Sequence, residues 1–237
     1  HDDRHPFEST ALWELDLASL EARELATIGF GAQAHYAPEG PGILIQAGPS
    51  AFDKAGSNLA FTRTPNDYDQ QLFLYDPGQD EVTPLTRELA PAISAVHVPE
   101  RGHHVYLEVV EGPARRLYRL DLGSRRFEAL ETGVETIDTV SVSADGSRVA
   151  WIGSSADLPP RVGSSPAGKG EDWSPTTVTV PAAAREEHLQ LGAVEDWDFE
   201  SGDGTRIDGR VHYPPDFDPA KRYPAIVYYY GGTSPVT

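Results

Sequence analysis

The chain has 237 residues, and its 37 acidic against 19 basic side chains give a formal net charge of −18 at pH 7. Nucleic acid and anionic membrane surfaces repel such a charge, so neither is an expected partner. Cysteine is absent, which excludes disulfides, thiolate metal sites and a cysteine nucleophile, and no metal or other cofactor is predicted. Because residue 1 is His, we expect that the chain does not begin at a translation start.

Three segments share one pattern, in which a short apolar strand ends in an aspartate and a polar turn. The segments are Leu12–Leu17, Leu72–Pro77 and Leu117–Leu122, and the shared aspartates are Asp16, Asp76 and Asp121. A second apolar stretch follows each turn, which predicts a β-hairpin. A glycine that precedes another strand then follows each aspartate after 26, 26 and 25 residues: Gly42, Gly102 and Gly146.

The spacing of this repeat indicates the architecture. Successive aspartates lie 60 and then 45 residues apart, and the shorter period is typical of a four-stranded propeller blade. The extra length of the first repeat predicts a long loop from about Gln46 to Gln71, which either lines a binding site or decorates the surface. About four blade-sized units fit before residue 193, so the ring is predicted to be incomplete.

The repeat ends after Trp151. Residues 157–170 are rich in Pro, Gly and Ser, a composition typical of a linker or mobile loop. Residues 176–180 then read as one more short strand.

The character of the chain changes at Val194. Residues 194–199 and 206–213 predict a hairpin around an Asp-Gly turn, and a Pro-rich crossing leads to a predicted buried strand, Tyr223–Tyr230. That strand ends at Gly231-Gly232, as in the opening of an α/β-hydrolase sheet. The predicted fold is therefore mainly β: a partial β-propeller in residues 1–193, followed in residues 194–237 by the first strands of an α/β-hydrolase domain.

Blade-like repeats joined to the sequence DGTRIDGRVHYPPDFDPAKRYPAIVYYYGG resemble the prolyl oligopeptidase family of serine peptidases, close to its dipeptidyl-peptidase-like bacterial members. The resemblance implies a Ser-Asp-His triad in the catalytic domain and a propeller that restricts access to short peptides. It implies a peptide substrate and the remainder of the hydrolase domain as partners, and it allows a homodimer. The compartment stays open, with a periplasmic or secreted location preferred to the cytoplasm.

The same resemblance places an oxyanion donor at Tyr230, with Gly231 and Gly232 shaping the substrate-binding loop. A phenol held by packing is a suitable donor to the negative charge that develops during acyl transfer. The competing interpretation is that the tyrosines at 228–230 are only strand residues; we favour it for Tyr228 and Tyr229, and the catalytic role for Tyr230.

No Gly-x-Ser-x-Gly nucleophile motif occurs; the nearest sequences, Gly163–Ala167 and Gly232–Val236, lack the closing glycine. The triad is therefore expected outside this chain, and the chain alone is predicted to be inactive. The alternative function is a non-catalytic propeller module that binds peptides or proteins.

Three other groups of polar residues are not predicted to be sites. Adjacent His103 and His104 face opposite sides of a strand, so they cannot hold one metal ion. The histidines of residues 1–5 lie in a terminus that is expected to fray. Glu186-Glu187 resembles a family pair that binds an amino terminus, but a solvated turn is the preferred interpretation.

Overall fold

The computed structural model describes residues 9–29, 31–59, 65–180 and 190–229. Within these ranges the chain forms sixteen strands and one helical turn. The strands are β1 (Ser9–Leu15), β2 (Ala22–Gly29), β3 (Gln33–Tyr36), β4 (Ile43–Ala47), β5 (Gln71–Asp76), β6 (Glu81–Pro84), β7 (Ala92–His97), β8 (His104–Glu111), β9 (Ala114–Asp121), β10 (Arg126–Leu130), β11 (Thr136–Val142), β12 (Arg148–Ser155), β13 (Leu158–Pro166), β14 (Thr176–Thr179), β15 (Val194–Glu200) and β16 (Arg206–His212). The single turn α1 is Ala51–Lys54.

Strands pair with their neighbours in the sequence. Three groups of four follow the orders β3-β4-β5-β6, β7-β8-β9-β10 and β11-β12-β13-β14, and β1-β2 and β15-β16 form two hairpins. A single parallel bridge, Thr136 with Arg115, connects the third group to the second. The mainly β fold with four-stranded blades that the sequence predicts is confirmed, whereas the boundary at residues 193 and 194 stays a prediction.

Contacts divide the chain into two compact units. The first comprises residues 1–109, 118–128 and 144–146, and the second comprises residues 110–117, 129–143 and 147–237. In the first unit, the inner strands β4 and β5 of the sheet β3–β6 are buried on both faces. Ile43, Ile45 and Phe73 pack against the hairpin β1–β2 through Ile28, and on the opposite face Leu44 joins a second apolar cluster. That second cluster comprises Leu44, Leu72, Leu85, Leu89, Ile93, Val96, Val105, Leu107, Val109 and Leu120.

This two-sided burial explains the sequence of β4 and β5. Alternate side chains of a strand point to opposite faces of its sheet, and here both faces are covered by apolar neighbours. The central residues Leu44, Ile45, Leu72 and Phe73 are therefore apolar on both faces, as expected for sheets stacked face to face. Every residue of β4 is buried, including the polar Gln46.

The three aspartates of the repeat form closely similar turns. Asp16 accepts backbone N–H bonds from Ala18 and Ser19 through its carboxylate, Asp76 accepts them from Gly78 and Gln79, and Asp121 accepts one from Ser124. The residue four positions after each aspartate has a left-handed backbone: Leu20 at φ 59°, Asp80 at φ 53° and Arg125 at φ 58°. The predicted equivalence of the three hairpins is confirmed by this shared geometry.

The predicted long loop is present between β4 and β5. Its described part is tied together by Asp67, whose carboxylate accepts the backbone N–H of Ser50 at 2.9 Å. In α1 the backbone of Phe52, Asp53 and Lys54 is left-handed, and the ring of Phe52 meets that of the buried Phe73 edge to face at 5.2 Å.

The prediction of a linker over residues 157–170 is wrong for most of its length. Residues Leu158–Pro166 form β13, which pairs with β12 on one side and with β14 on the other. Pro159 and Pro160 lie opposite a β-bulge between Gly153 and Ser155, where the ladder is interrupted and the missing N–H groups cost little. The short strand predicted at residues 176–180 is confirmed as β14.

The prediction of a buried strand at Tyr223–Tyr230 is wrong for the residues described. Residues 222–229 carry no strand pairing, and Ile226 is 99% exposed. Their β-branched and aromatic side chains favour a strand, but a strand also requires a hydrogen-bonded neighbour, and the part of the chain that the structure describes offers none here. No described helix is long and apolar enough to cross a membrane.

Candidate functional site

The predicted oxyanion loop falls outside the described residues. The residues concerned are Tyr230, Gly231 and Gly232. Ser234, Glu186-Glu187 and the histidines of residues 1–5 also lie outside the described residues. The role of Tyr230 as oxyanion donor therefore stays a prediction, and so does the role of the two glycines in substrate binding.

Aromatic side chains fix the crossing that leads towards Tyr230. The ring of Phe217 lies between those of Tyr213 and Tyr223, at centroid distances of 4.4 and 5.3 Å. The Tyr223 hydroxyl accepts the backbone N–H of Asp218 at 3.0 Å and donates to the carbonyl of Asp216 at 3.4 Å. The Pro-rich crossing is thus a compact turn, and the exposed residues 225–229 follow directly from it.

The hairpin β15–β16 closes on the predicted turn. The backbone N–H of Ser201 donates to the carbonyl of Thr205 at 2.8 Å, and the Asp203 carboxylate accepts the Ser201 hydroxyl and the Thr205 N–H. These bonds, chiefly that from Ser201, lower the pKa of Asp203 to about 2. On one face of the hairpin the rings of Trp197 and Phe199 stack at 4.8 Å, which leaves the other face to charged residues.

Arg210 on that charged face is held by two carboxylates. Its Nε and Nη2 each lie 2.9 Å from Asp196 Oδ1, and its Nη1 lies 2.9 Å from Glu135 Oε2. Burial by itself would lower the pKa of Arg210, but the hydrogen bond that Arg210 donates to Asp196 and the charge of Glu135 outweigh it and raise that pKa. The guanidinium therefore stays charged, and its planar set of N–H groups donates to both carboxylates.

A cleft of about 440 Å³ opens beside this ion pair. Its wall contains the side chains of Glu135, Asp157, Asp196 and Arg210, together with the segment Leu191–Val194. Charged groups dominate the wall, so the cleft favours water and polar groups over an apolar ligand.

Sequence reasoning missed both Arg210 and Glu135. The hairpin register could have placed Asp196 opposite Arg210, because the two are Cα partners around the predicted turn. Glu135 lies 75 residues from Arg210, and no pattern in the sequence connects the two.

The serines of the near-miss motif at residues 163–167 are structural. Ser164 and Ser165 are buried within β13. The hydroxyl of Ser165 donates to the carbonyl of Pro166 at 2.9 Å and accepts the backbone N–H of Ser174 at 2.8 Å. A hydroxyl engaged in this way lacks the neighbouring base that activates a serine nucleophile.

The histidines of the second blade pair with separate carboxylates. His103 Nδ1 lies 2.9 Å from Glu39 Oε2, and His104 Nε2 lies 3.3 Å from Asp121 Oδ2. Burial, reinforced by the charge of Arg119, lowers the pKa of His104 against the opposing effect of Asp121. The described residues contain no group of three or more side chains arranged to hold a metal ion.

Known proteins resemble this chain along nearly all of its length, although no protein-family model matches it. It is 25% identical over 244 residues to the probable dipeptidyl-peptidase 5 of Aspergillus niger, covering 92% of this chain and 32% of that protein. It therefore spans about a third of the length of this curated relative.

Solved structures share the fold. Puromycin hydrolase aligns with a TM-score of 0.63 at 20% identity, over 94% of this chain and 33% of its own. Dipeptidyl peptidase 4 of Porphyromonas gingivalis aligns with a TM-score of 0.64 at 17% identity, over 90% of this chain and 29% of its own. In sequence and in fold, the resemblance to the prolyl oligopeptidase family that the residues predict is therefore confirmed.

Proposed function

We propose that the chain is the propeller part and the opening of the hydrolase domain of a serine-type peptidase that cleaves short peptides. The observation that carries this proposal is the continuity of the structural alignment, which covers 94% of this chain on puromycin hydrolase. That alignment therefore takes in both the four-stranded sheets and the hairpin β15–β16. A dipeptidyl peptidase and prolyl endopeptidases share the fold, and hydrolysis of peptide bonds is common to these names.

In this proposal the two parts of the chain have different tasks. The four-stranded sheets limit which peptides reach the catalytic centre. The hairpin and the crossing at Phe217 lead into residues 225–229, which continue towards the hydrolase domain. We place the Ser-Asp-His triad that the family resemblance implies on the remainder of the hydrolase domain, which is then the principal partner of this chain.

Tyr230 supplies the oxyanion donor in the proposed mechanism. The serine attacks the scissile carbonyl carbon, and the carbonyl oxygen becomes an oxyanion as the tetrahedral intermediate forms. The Tyr230 hydroxyl donates a hydrogen bond to that oxygen, and Gly231 and Gly232 leave the backbone uncovered beside it. The bond is strongest in the transition state, so it lowers the barrier more than it improves substrate binding.

The test is Tyr230→Phe in the complete enzyme, with turnover of a chromogenic dipeptide substrate measured across substrate concentrations. We expect kcat to fall roughly 10- to 10³-fold while KM changes little. Stability should be unchanged, because the ring and its packing remain.

Tyr228→Phe is the matched control and should retain near wild-type kcat. Wild-type turnover in Tyr230→Phe would contradict the oxyanion role. Absence of any peptidase or esterase activity in the complete enzyme would instead favour a module that binds peptides or proteins.

A further inference from the structure

Arg210 stands out among the charged side chains of the hairpin β15–β16 because it is mostly buried. Its side chain is 20% exposed, whereas that of Arg206 on the same face of the same strand is 70% exposed. Arg206 pairs with Asp198 and Asp208, at 3.2 and 3.4 Å, and both of these lie on the hairpin itself. Arg210 differs because one of its two partners lies outside the hairpin.

That outside partner belongs to the four-stranded group β11–β14. Glu135 lies one residue before β11, and its backbone N–H donates to the carbonyl of Ser154 and to the hydroxyl of Ser155. Its carboxylate accepts the backbone N–H of Ala156 at 3.2 Å as well as the Arg210 guanidinium. Glu135 is therefore fixed to the turn between β12 and β13 and presents its carboxylate to the hairpin.

We propose that the Asp196–Arg210–Glu135 ion triad is an electrostatic clamp that docks the hairpin β15–β16 on the blade β11–β14. Asp196 lies opposite Arg210 in the hairpin register, so it orients the guanidinium while Glu135 provides the attachment. The same side chains line the 440 Å³ cleft, so release of the clamp alters the width of that cleft.

The clamp is sensitive to ionic strength. The Glu135 and Asp196 side chains are 44% and 71% exposed, so dissolved salt reaches the ion pairs and screens them. Raising the salt concentration from ~0.1 M to ~1 M shortens the Debye length from about 10 Å to about 3 Å. The hairpin is therefore firmly docked at low salt and loosely docked at high salt. A consequence for peptide access rests on the proposed function, but the docking itself does not.

Because the chain contains no cysteine, two introduced cysteines can be spin-labelled specifically, and the distance between blade and hairpin can be measured. Ser141→Cys on β11 and Gly202→Cys at the hairpin turn provide two exposed positions for spin labels, and a Cβ at Gly202 meets no atom within 4 Å. Pulsed electron paramagnetic resonance on this chain then reports the distribution of distances between blade and hairpin, without any need for peptidase activity.

We expect a narrow distribution at low salt and a broader, shifted one at high salt. Arg210→Glu and Glu135→Arg should each broaden the distribution at low salt. The triple reversal, Arg210→Glu with Glu135→Arg and Asp196→Arg, puts opposite charges back on both sides of position 210 and should restore the narrow one. Arg206→Glu, which reverses a charge on the same strand, should leave it narrow.

A narrow distribution in Arg210→Glu, or a triple reversal as broad as the single variants, would overturn the clamp. Equal broadening of the distance distribution by Arg206→Glu would overturn it too, because reversing any arginine of β16 would then have the same effect. If Arg210→Glu loses its β-type circular dichroism, Glu135→Gln decides: this variant keeps the side-chain size, and broadening supports the clamp whereas no change contradicts it.

Discussion

At the scale of single residues, Gly163 and Trp151 form a close fit in the second unit. Trp151 is 3% exposed and stacks on Trp173 with ring centroids 5.4 Å apart. The Trp173 indole N–H donates to the carbonyl of Glu131 at 2.6 Å. Gly163 is the Cα partner of Trp151, and a Cβ at this position would lie 2.5–2.6 Å from the indole ring. The indole therefore occupies the space that the glycine leaves.

Gly163→Ala should destabilise the chain by about 1–3 kcal/mol, because the new methyl group forces the stacked indoles to shift. Urea unfolding monitored by tryptophan fluorescence measures the change. Gly202→Ala is the control and should stay within about 0.5 kcal/mol of wild type, since its Cβ meets nothing within 4 Å. Equal stability of the two variants would show that the indole pair is not packed as described.

At the scale of elements, the three aspartate turns contain a position where glycine should be better than the native residue. Arg125 is exposed and has a left-handed φ of 58°. The left-handed conformation costs a non-glycine residue roughly 1–2 kcal/mol, and glycine adopts it without this cost.

Arg125→Gly should therefore leave stability unchanged or increase it by up to about 1 kcal/mol, as measured by thermal unfolding. Arg126→Gly, one residue later at the start of β10, is the control and should lower stability by roughly 0.5–1 kcal/mol, because glycine weakens a strand. Destabilisation by Arg125→Gly as large as that by Arg126→Gly would contradict the shared turn geometry.

The elements also show which features a sequence reveals. Asp16, Asp76 and Asp121 were recognisable because each acts within four residues, so the turn is a local property of the sequence. The strand β13 was hidden because its Pro, Gly and Ser composition is typical of loops, whereas its pairing with β12 and β14 depends on residues elsewhere. The segment 223–229 shows the opposite case, in which the local preference for a strand is not accompanied by a partner strand.

At the scale of the whole molecule, the proposed division of the catalytic machinery predicts that this chain alone is inactive. A fluorophosphonate probe should label no serine in it, and chromogenic Xaa-Pro substrates should not turn over, because the sequence contains no Gly-x-Ser-x-Gly nucleophile motif. The complete enzyme is the positive control and should be labelled once, on a residue outside this chain. Labelling of any serine within residues 1–237, Ser234 above all, would contradict the prediction.

The candidate site was only partly predictable from the sequence, because part of it is formed by segments that are distant in the chain. The hairpin and its Asp196–Arg210 pairing follow from one turn, which the sequence shows. The attachment of Arg210 to Glu135 depends on how distant segments pack, and sequence periodicity carries no information about that. The role of Tyr230 came from a resemblance and stays a prediction, since the residue lies outside the described ranges.

The pairing of sequence neighbours in β3–β6, β7–β10 and β11–β14 has a consequence for biosynthesis. A ribosome adds about 5–20 residues per second, so the strands of one blade emerge over several seconds, whereas a hairpin forms in about 1–10 μs. Each blade can therefore be complete before the next has been translated, and it offers its apolar face as a template for the blade that follows. The order of translation is then also the order of assembly.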